Sequence, residues 1–296
     1  MHLRRIATGS RGRLPARRLP ARRLRHTLVT PEWIVDTKDK LVVLDCGSLD
    51  GYHRGHVPNA LHFGLPSKDP KDPFHIITEK YFRSYLATLP VELDTTLVFY
   101  DDSNHLQATR AWWVSRYFGF PKDQLKILNG GFRYWVEHDF EVSCQVVPPS
   151  SPVSSTLPAI QMDSSRVIGL DELKALVAAG ADAGVQILDT RSADEYTGAA
   201  AHGNARPGHV PRALHLEWSD TLQPSGQFKS TDELVALVAA AGLSADKPVV
   251  TYCQRGIRAA HTAFVLEELL GFPKVRVYEA SMAEYLNAPD TKVEVS

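Results

Sequence analysis

The chain has 296 residues, a length that suits two domains of about 100–150 residues each. Its 44% hydrophobic and 23% charged residues are ordinary for a globular protein, and no run approaches the roughly 18 consecutive apolar residues of a membrane-spanning helix. The three cysteines, Cys46, Cys144 and Cys253, cannot all pair and show no C-x-x-C spacing. This argues against a disulfide framework and a zinc site, and it indicates a reducing compartment.

The net charge of −1 is the sum of a strongly basic N-terminal segment and an acidic remainder of the chain. Residues 1–31 contain nine arginines and no acidic residue, which leaves 24 basic against 34 acidic residues for the rest of the chain. Such a composition is typical of a transit peptide, so residues 1–28 are predicted to be a targeting segment and the protein to lie in the mitochondrial matrix. A plain disordered tail and a cytoplasmic location are the alternatives. A nucleic-acid-binding arm is disfavoured because no aromatic residue precedes Trp33.

Four short motifs of the first half recur in the same order in the second half. They are an apolar run ending in aspartate (41–45 and 185–189), Gly-His-Val-Pro (55–58 and 208–211), a second apolar run (97–100 and 249–252) and Gly-Phe-Pro (119–121 and 271–273). The last three pairs are offset by 152 or 153 residues. A nearly constant offset over this many matches predicts two homologous domains.

The predicted domains span residues 29–143 and 165–296, and residues 144–164 between them are predicted to be a linker because that stretch is rich in proline and serine. Within each half, short apolar runs alternate with helical patterns, such as the amphipathic run that Ser230 caps. This alternation predicts an α/β fold in which each domain has a mainly parallel sheet flanked by helices on both faces. In such sheets a site lies beyond the carboxyl ends of the strands.

Cys253 follows the predicted strand 249–252 and precedes a helical run, with Gln254, Arg255, Gly256, Ile257 and Arg258 between them. Backbone N–H groups of such a loop and the positive end of the helix dipole attract an anion, and the two arginines add full positive charges. These charges favour thiolate over thiol, and the loop can hold an anionic persulfide or substrate. Gly256 suits a sharp turn. A buried structural cysteine is the alternative, and the flanking arginines disfavour it.

From about residue 29 to 293 the chain resembles the two-domain rhodanese family of thiosulfate and 3-mercaptopyruvate sulfurtransferases. The motifs that carry the resemblance are Asp45 with Gly55-His-Val-Pro58, Asp189-Thr-Arg191 with Gly208-His-Val-Pro211, Ala111-Trp-Trp113, Asn129-Gly-Gly-Phe132, the Cys253 loop and the run 278–285. The resemblance implies two tandem rhodanese-like domains and a double displacement. Cys253 takes a sulfane sulfur from a small donor and passes it from a persulfide to cyanide or a thiol, such as that of a thioredoxin-like protein. We expect no cofactor, no metal, and no nucleic-acid or membrane partner. The protein is expected to be a monomer.

Aligning the repeats places Asp101 at the position of Cys253 and Asp102 directly after it. Because aspartate is no sulfur nucleophile, the first domain is predicted to be catalytically silent and to form one wall of the second domain's cleft. Cys46 and Cys144 have no comparable loop around them and are interpreted as structural.

Several further residues have two interpretations. Arg191 resembles a family arginine that supports the active-site loop, and an ordinary salt bridge explains it equally well. Glu195 stands where many family members carry a substrate-binding arginine, and Arg206 is the candidate replacement. The remaining candidates are histidines, of which His56 and His209 are interpreted as turn or core residues and His75 as an exposed loop residue.

The length and charge of the loop select among reactions. Phosphatases and arsenate reductases place five residues between cysteine and arginine, whereas four separate Cys253 from Arg258, and a shorter ring suits a single sulfur atom. The intact cysteine also disfavours a noncatalytic regulatory module. Mercaptopyruvate-type members resemble Cys-Gly-Ser-Gly, whereas thiosulfate-type members carry a cation where Arg255 stands. Thiosulfate is therefore the predicted donor, with 3-mercaptopyruvate as the alternative.

Overall fold

The computed structural model describes residues 27–37, 40–66, 68–148 and 160–296. The predicted targeting segment lies almost wholly outside these residues, and so does the part of the predicted linker at 149–159. Among the described residues, no helix combines the length and apolar character that crossing a bilayer demands.

The first domain is an α/β unit on a five-stranded parallel sheet. Its strands are β1 (Leu28–Val29), β2 (Leu41–Asp45), β3 (Leu61–His62), β4 (Thr96–Tyr100) and β5 (Leu125–Leu128). They lie in the order β1-β5-β4-β2-β3. Its helices are α1 (Pro31–Asp36), α2 (Leu49–Arg54), α3 (Glu79–Leu86), α4 (Leu106–Tyr117) and α5 (Gly131–Glu137).

The second domain repeats this arrangement. Its strands are β6 (Val167–Ile168), β7 (Gln186–Asp189), β8 (Leu214–His215), β9 (Val249–Tyr252) and β10 (Val275–Tyr278). Their order, β6-β10-β9-β7-β8, is that of the first sheet. Its helices are α6 (Leu170–Ala179), α7 (Ala193–Thr197), α8 (Thr231–Ala240), α9 (Ile257–Phe264) and α10 (Ser281–Tyr285). All pairings in both sheets are parallel.

Successive side chains of the buried central strands pack on opposite faces of each sheet. In β4, Leu97 and Phe99 belong to a core that includes residues of α3 and α4, whereas Val98 and Tyr100 pack with Trp135 of α5. Parallel strands covered on both faces are apolar along their whole length, which explains the continuous apolar runs in the sequence. The prediction of two tandem parallel sheets with helices on both faces is confirmed.

The two domains share an apolar interface between α4 and α9. Trp112 of α4 meets Phe264 of α9 edge to face, with ring centroids 5.0 Å apart, and one hydrophobic cluster runs through both domains. His261 of α9 is fully buried there, and burial lowers its pKa to about 3, so it is neutral at physiological pH. The interface therefore fixes the first domain against the second without burying a charged imidazole.

Candidate active site

Cys253 lies at the carboxyl edge of the second sheet, directly after β9, which is flanked by β10 and β7. The residue is only 1% exposed. Its N–H donates to the Oγ of Ser281 at 3.1 Å, and its carbonyl accepts the N–H of Met282 at 3.0 Å. The beginning of α10 thus holds the backbone of the cysteine in place from one side.

The loop folds back so that its backbone contacts the cysteine sulfur. The N–H of Gly256 donates to Sγ of Cys253 at 3.1 Å. Gly256 has a φ of +84°, and a Cβ there would lie 2.7 Å from the carbonyl oxygen of Glu279, so the position requires glycine. Helix α9 begins at the next residue, Ile257, and directs its positive dipole end at the loop. This geometry stabilises an anionic sulfur.

Two side chains tie the loop to the rest of the domain. Gln254 exchanges amide hydrogen bonds with Asn204 at 2.8 and 3.1 Å. Arg258 forms a bidentate ion pair with Glu195 at 2.6 and 2.9 Å. Although burial raises it, the hydrogen bonds from Arg258 bring the pKa of Glu195 down to about 2, so the pair is charged at neutral pH. The carboxylate of Glu195 is thus occupied by Arg258 and holds its guanidinium in place.

Arg255 is the exposed side chain of the loop. The described parts of the chain offer its guanidinium no ion-pair or hydrogen-bond partner. Since the charge of Arg258 is balanced by Glu195, Arg255 is the loop cation that is available to a ligand.

The first domain also brings cations to this site, and the sequence analysis did not single them out. Lys68, in the loop after β3, donates to the carbonyl and to Oε1 of Glu279, both at 2.7 Å. Arg110 of α4 forms a bidentate pair with the same carboxylate, with Nη1 at 2.9 Å from Oε2. The Nζ of Lys68 lies 3.3 Å from where a Cβ on Gly256 would stand, so the ammonium lies directly against the Cys253 loop.

Burial sets the charge of Lys68. Burial lowers the pKa of Lys68 to about 8, although the neighbouring Glu279 opposes this shift. One carboxylate faces two cations, so the cluster of Lys68, Arg110 and Glu279 carries a net positive charge while Lys68 is protonated. The Cys253 loop therefore lies against a positively charged surface that belongs to the first domain.

Arg191 lies behind the site. Its guanidinium pairs with Asp189, with Nη2 at 2.6 Å from Oδ2, and donates to the carbonyl of Gly208 at 2.8 Å. It also lies 5.9 Å from the ring of Tyr252, the residue before Cys253. Arg191 thus forms a buried salt bridge and supports the end of the strand that carries the cysteine.

Arg206 is not available as a replacement for a substrate-binding arginine. It donates to backbone carbonyls beyond α10, among them Leu286 at 3.2 Å and Thr291 at 2.7 Å. His56 and His209 stack on tyrosine rings with centroids 3.9 Å apart and bond to backbone carbonyls, while His75 is exposed.

In the first domain a carboxylate occupies the equivalent cradle. Asp101 stands at the end of β4 as Cys253 stands at the end of β9, and its carbonyl accepts the N–H of Phe132 as the carbonyl of Cys253 accepts that of Met282. Its carboxylate oxygens accept four backbone N–H groups at 2.7–2.9 Å, those of Ser103, His105, Gln107 and Ala108. The side chain of Asp101 therefore fills the first loop, which has no cysteine at this position.

Comparison with known proteins agrees with this geometry. A family model described as the rhodanese-like domain matches residues 30–138 and 170–288. The sulfur carrier protein TtuD of Thermus thermophilus is 33% identical over 275 residues, which cover 88% of this chain and 94% of that protein. A thiosulfate sulfurtransferase of Corynebacterium glutamicum is 34% identical over 254 residues, covering 82% and 81% of the two chains. The structure of an anaerobic ergothioneine biosynthesis enzyme from Chlorobium limicola has the same fold, with a TM-score of 0.80 at 22% identity over 94% of this chain and 72% of that one.

Proposed function

The chain belongs to the rhodanese-like domain family, and from this premise we propose that it is a thiosulfate sulfurtransferase that works through a persulfide on Cys253. The observation that carries the proposal is the loop around the sulfur, in which the N–H of Gly256 contacts Sγ and the exposed Arg255 stands beside it. The names of the two relatives, a sulfur carrier and a thiosulfate sulfurtransferase, support sulfur transfer in general.

The proposed reaction has two displacements. The Cys253 thiolate attacks the sulfane sulfur of thiosulfate, the S–S bond of the donor breaks, and its electron pair leaves with sulfite. Cyanide or a thiolate then attacks the outer sulfur of the persulfide, and the electron pair of that S–S bond returns to Cys253 as thiolate. With cyanide the product is thiocyanate and no proton moves, so the cycle needs an electrostatic cradle more than a general base.

The charges of the site favour thiosulfate as the donor. A dianion must approach an anionic nucleophile, and this repulsion is offset by Arg255 of the loop and by Lys68 of the first domain. The singly charged 3-mercaptopyruvate is the second candidate, and it gains less from the same cations.

The direct test of the function is the half-reaction in the absence of an acceptor. Excess thiosulfate is expected to add the mass of one sulfur atom to the peptide that contains Cys253 and to release an equivalent amount of sulfite. Added cyanide should remove that mass and yield thiocyanate. A persulfide that forms from 3-mercaptopyruvate but not from thiosulfate would contradict the choice of donor, and no persulfide from either would contradict sulfur transfer.

Lys68 predicts a pH dependence of donor use. Because its pKa is lowered to about 8, the side chain is a cation below this pH and neutral above it. The value of kcat/KM for thiosulfate should therefore fall as the pH rises through about 8. Lys68→Met should remove this fall, and below pH 8 it should cost roughly 10-fold, the equivalent of one charge-assisted contact. Steady-state kinetics across the pH range measures both effects.

Lys71→Met is the matched control, since Lys71 is an exposed lysine of the same loop. It should keep the wild-type profile. If Lys68→Met retains the fall near pH 8, another group causes it and the assigned role of Lys68 is wrong.

A further inference from the structure

The turn at residues 279–283, directly after β10, contacts the backbone of the Cys253 loop. Three hydrogen bonds join the two segments, from Cys253 N–H to Oγ of Ser281 at 3.1 Å, from Met282 N–H to the Cys253 carbonyl at 3.0 Å and from Ala283 N–H to the Gln254 carbonyl at 3.0 Å. The position of the 279–283 turn therefore decides where the first residues of the Cys253 loop lie.

The backbone of this turn is strained at Ser281. That residue is fully buried and has a φ of +54°, in the left-handed region. Its counterpart in the first domain is Gly131, with a φ of +59°. A left-handed conformation costs little for glycine, but a residue with a Cβ keeps it only where its surroundings hold it. The 279–283 turn therefore needs restraints beyond its own hydrogen bonds.

An ion-pair cluster with the first domain provides such a restraint at Glu279, the first residue of the turn. The carboxylate forms a bidentate pair with Arg110 of α4 and also accepts the ammonium of Lys68 at 2.7 Å. Glu279 and Arg110 are only 5% and 1% exposed. Burial raises the pKa of Glu279, but Arg110 and Lys68 outweigh burial and hold the pKa below its ordinary value, so the carboxylate is ionised. A buried pair of this kind is costly to break.

Glu279 also touches the loop that carries the cysteine. A Cβ on Gly256 would lie 2.7 Å from the carbonyl oxygen of Glu279 and 3.1 Å from its Oε2. The same carbonyl accepts the ammonium of Lys68 at 2.7 Å, and the N–H of Gly256 donates to Sγ of Cys253. Contacts thus run without interruption from the first domain through Glu279 to the sulfur.

The repeat has an interdomain contact at the same position of the first domain. Asn129 directly follows β5 as Glu279 directly follows β10, and its Oδ1 accepts the N–H of Phe228 of the second domain at 3.0 Å. Both turns are therefore held by a side chain that reaches the other domain. The contact is neutral in the domain without the cysteine and charged in the domain that carries it.

We propose that Glu279 is a positioning residue, through which Arg110 of the first domain holds the Cys253 loop in the geometry that brings the N–H of Gly256 to the sulfur. This role rests on the proposed sulfur transfer at Cys253. It gives the first domain a second part in the reaction, apart from attracting an anionic donor by its positive charge. The two parts can be separated by experiment, because they predict different effects when Glu279 is replaced.

Glu279→Gln removes a negative charge and the bidentate pair together. Even if Lys68 then loses its proton, Arg110 leaves the cluster with one net positive charge, so attraction of anions alone predicts an unchanged or faster reaction. Loss of position predicts a slower one. We expect alkylation of Cys253 by iodoacetamide at pH 7, followed by peptide mass spectrometry, to slow by roughly 10-fold or more, and persulfide formation at saturating thiosulfate to slow likewise. Unchanged or faster alkylation in the folded variant would overturn the proposal.

Glu268→Gln is the matched control. Glu268 is also a buried glutamate of the second domain, 4% exposed, and it pairs with Lys122 of the first domain. It belongs to the helical turn Val265–Leu269 after α9 instead of the 279–283 turn. Glu268→Gln is expected to react at the wild-type rate. An equal slowing in both variants would mean that any weakened interdomain ion pair loosens the site, and the role assigned to Glu279 would be wrong.

Arg110→Lys decides the question if Glu279→Gln does not fold, because it keeps the charge and removes the bidentate pairing. The rate of persulfide formation at saturating thiosulfate should fall several-fold, while the thiosulfate concentration for half-saturation stays the same. A change in the half-saturating concentration alone would assign Arg110 to donor binding and overturn the proposal. Alkylation needs no sulfur donor, so it tests the positioning role even if the wild type forms no persulfide, the result that would contradict the proposed function.

Discussion

Cys253→Ser is expected to abolish sulfur transfer, lowering kcat/KM for thiosulfate by at least about 10³-fold, whereas Cys46→Ser and Cys144→Ser should keep most of the activity. The reason is position, since only Cys253 follows a strand, contacts a loop N–H and precedes a helix. Burial raises the pKa of the Cys46 thiol well above its usual range, so it remains a thiol at neutral pH. Cys144 is exposed and donates to the carbonyl of Arg54.

The cysteine variants need a structural control. Serine can accept the N–H of Gly256 as the cysteine sulfur does, so the thermal stability of Cys253→Ser should stay close to that of the wild type. Thiocyanate formation measures activity, and peptide mapping after thiosulfate treatment locates the added sulfur. A persulfide found on Cys46, or an active Cys253→Ser protein, would refute the assignment of the nucleophile.

The repeat made the larger part of this architecture predictable from the sequence. Buried parallel strands leave continuous apolar runs, and two copies of the same run fix which residues are equivalent. From that equivalence alone, Asp101 is identified as the residue of the first domain that corresponds to Cys253. The structure adds that four backbone N–H groups donate to the carboxylate of Asp101, so the N–H groups of this loop point inward, toward its first side chain.

The contacts between the domains were not predictable in the same way. Glu279 meets Lys68 and Arg110 across sequence separations of 211 and 169 residues. Periodicity and local motifs report on neighbours within one element or one repeat, so they carry no signal for a pair brought together by domain packing. Arg110 directly precedes the Ala111-Trp-Trp motif, and this position next to a family motif is the signal in the sequence that could have pointed to it.

Glu195 shows that the role of a charged residue depends on the residue with which it pairs. Judged alone, an acidic residue at that position removes a cation from the site. The structure shows that it instead orients Arg258 through a bidentate pair, and that Arg206 is held by backbone carbonyls. The positive charge left for an anionic donor thus comes from Arg255 in the loop and from the first-domain cluster in which Lys68 and Arg110 share the single carboxylate of Glu279. The sequence shows which residues are charged. Only the structure shows whether an ion-pair partner already neutralises a given charge.

The donor preference depends most on Arg255. If this exposed guanidinium binds the sulfonate end of thiosulfate, Arg255→Ala should lower kcat/KM for thiosulfate by about 10- to 150-fold, the equivalent of 1.5–3 kcal/mol for one charge-assisted hydrogen bond. The loss with 3-mercaptopyruvate should be smaller, because a single negative charge gains less from the same cation. Arg255→Lys keeps the charge and should retain most of the activity. Steady-state kinetics with both donors gives the deciding quantity, the ratio of kcat/KM for thiosulfate to kcat/KM for 3-mercaptopyruvate in each variant.

A change of two loop residues extends this test. Gln254→Gly with Arg255→Ser resembles the loop of mercaptopyruvate-type relatives and is expected to invert the preference. Gln254 exchanges two hydrogen bonds with Asn204, so Gln254→Gly alone is required as a control for loosening of the loop. If Arg255→Ala lowers kcat/KM for both donors by the same factor, Arg255 acts on the thiolate and not on the choice of donor. The charge that selects the donor would then come from the first-domain cluster of Lys68, Arg110 and Glu279, which is net positive, since Glu195 neutralises Arg258.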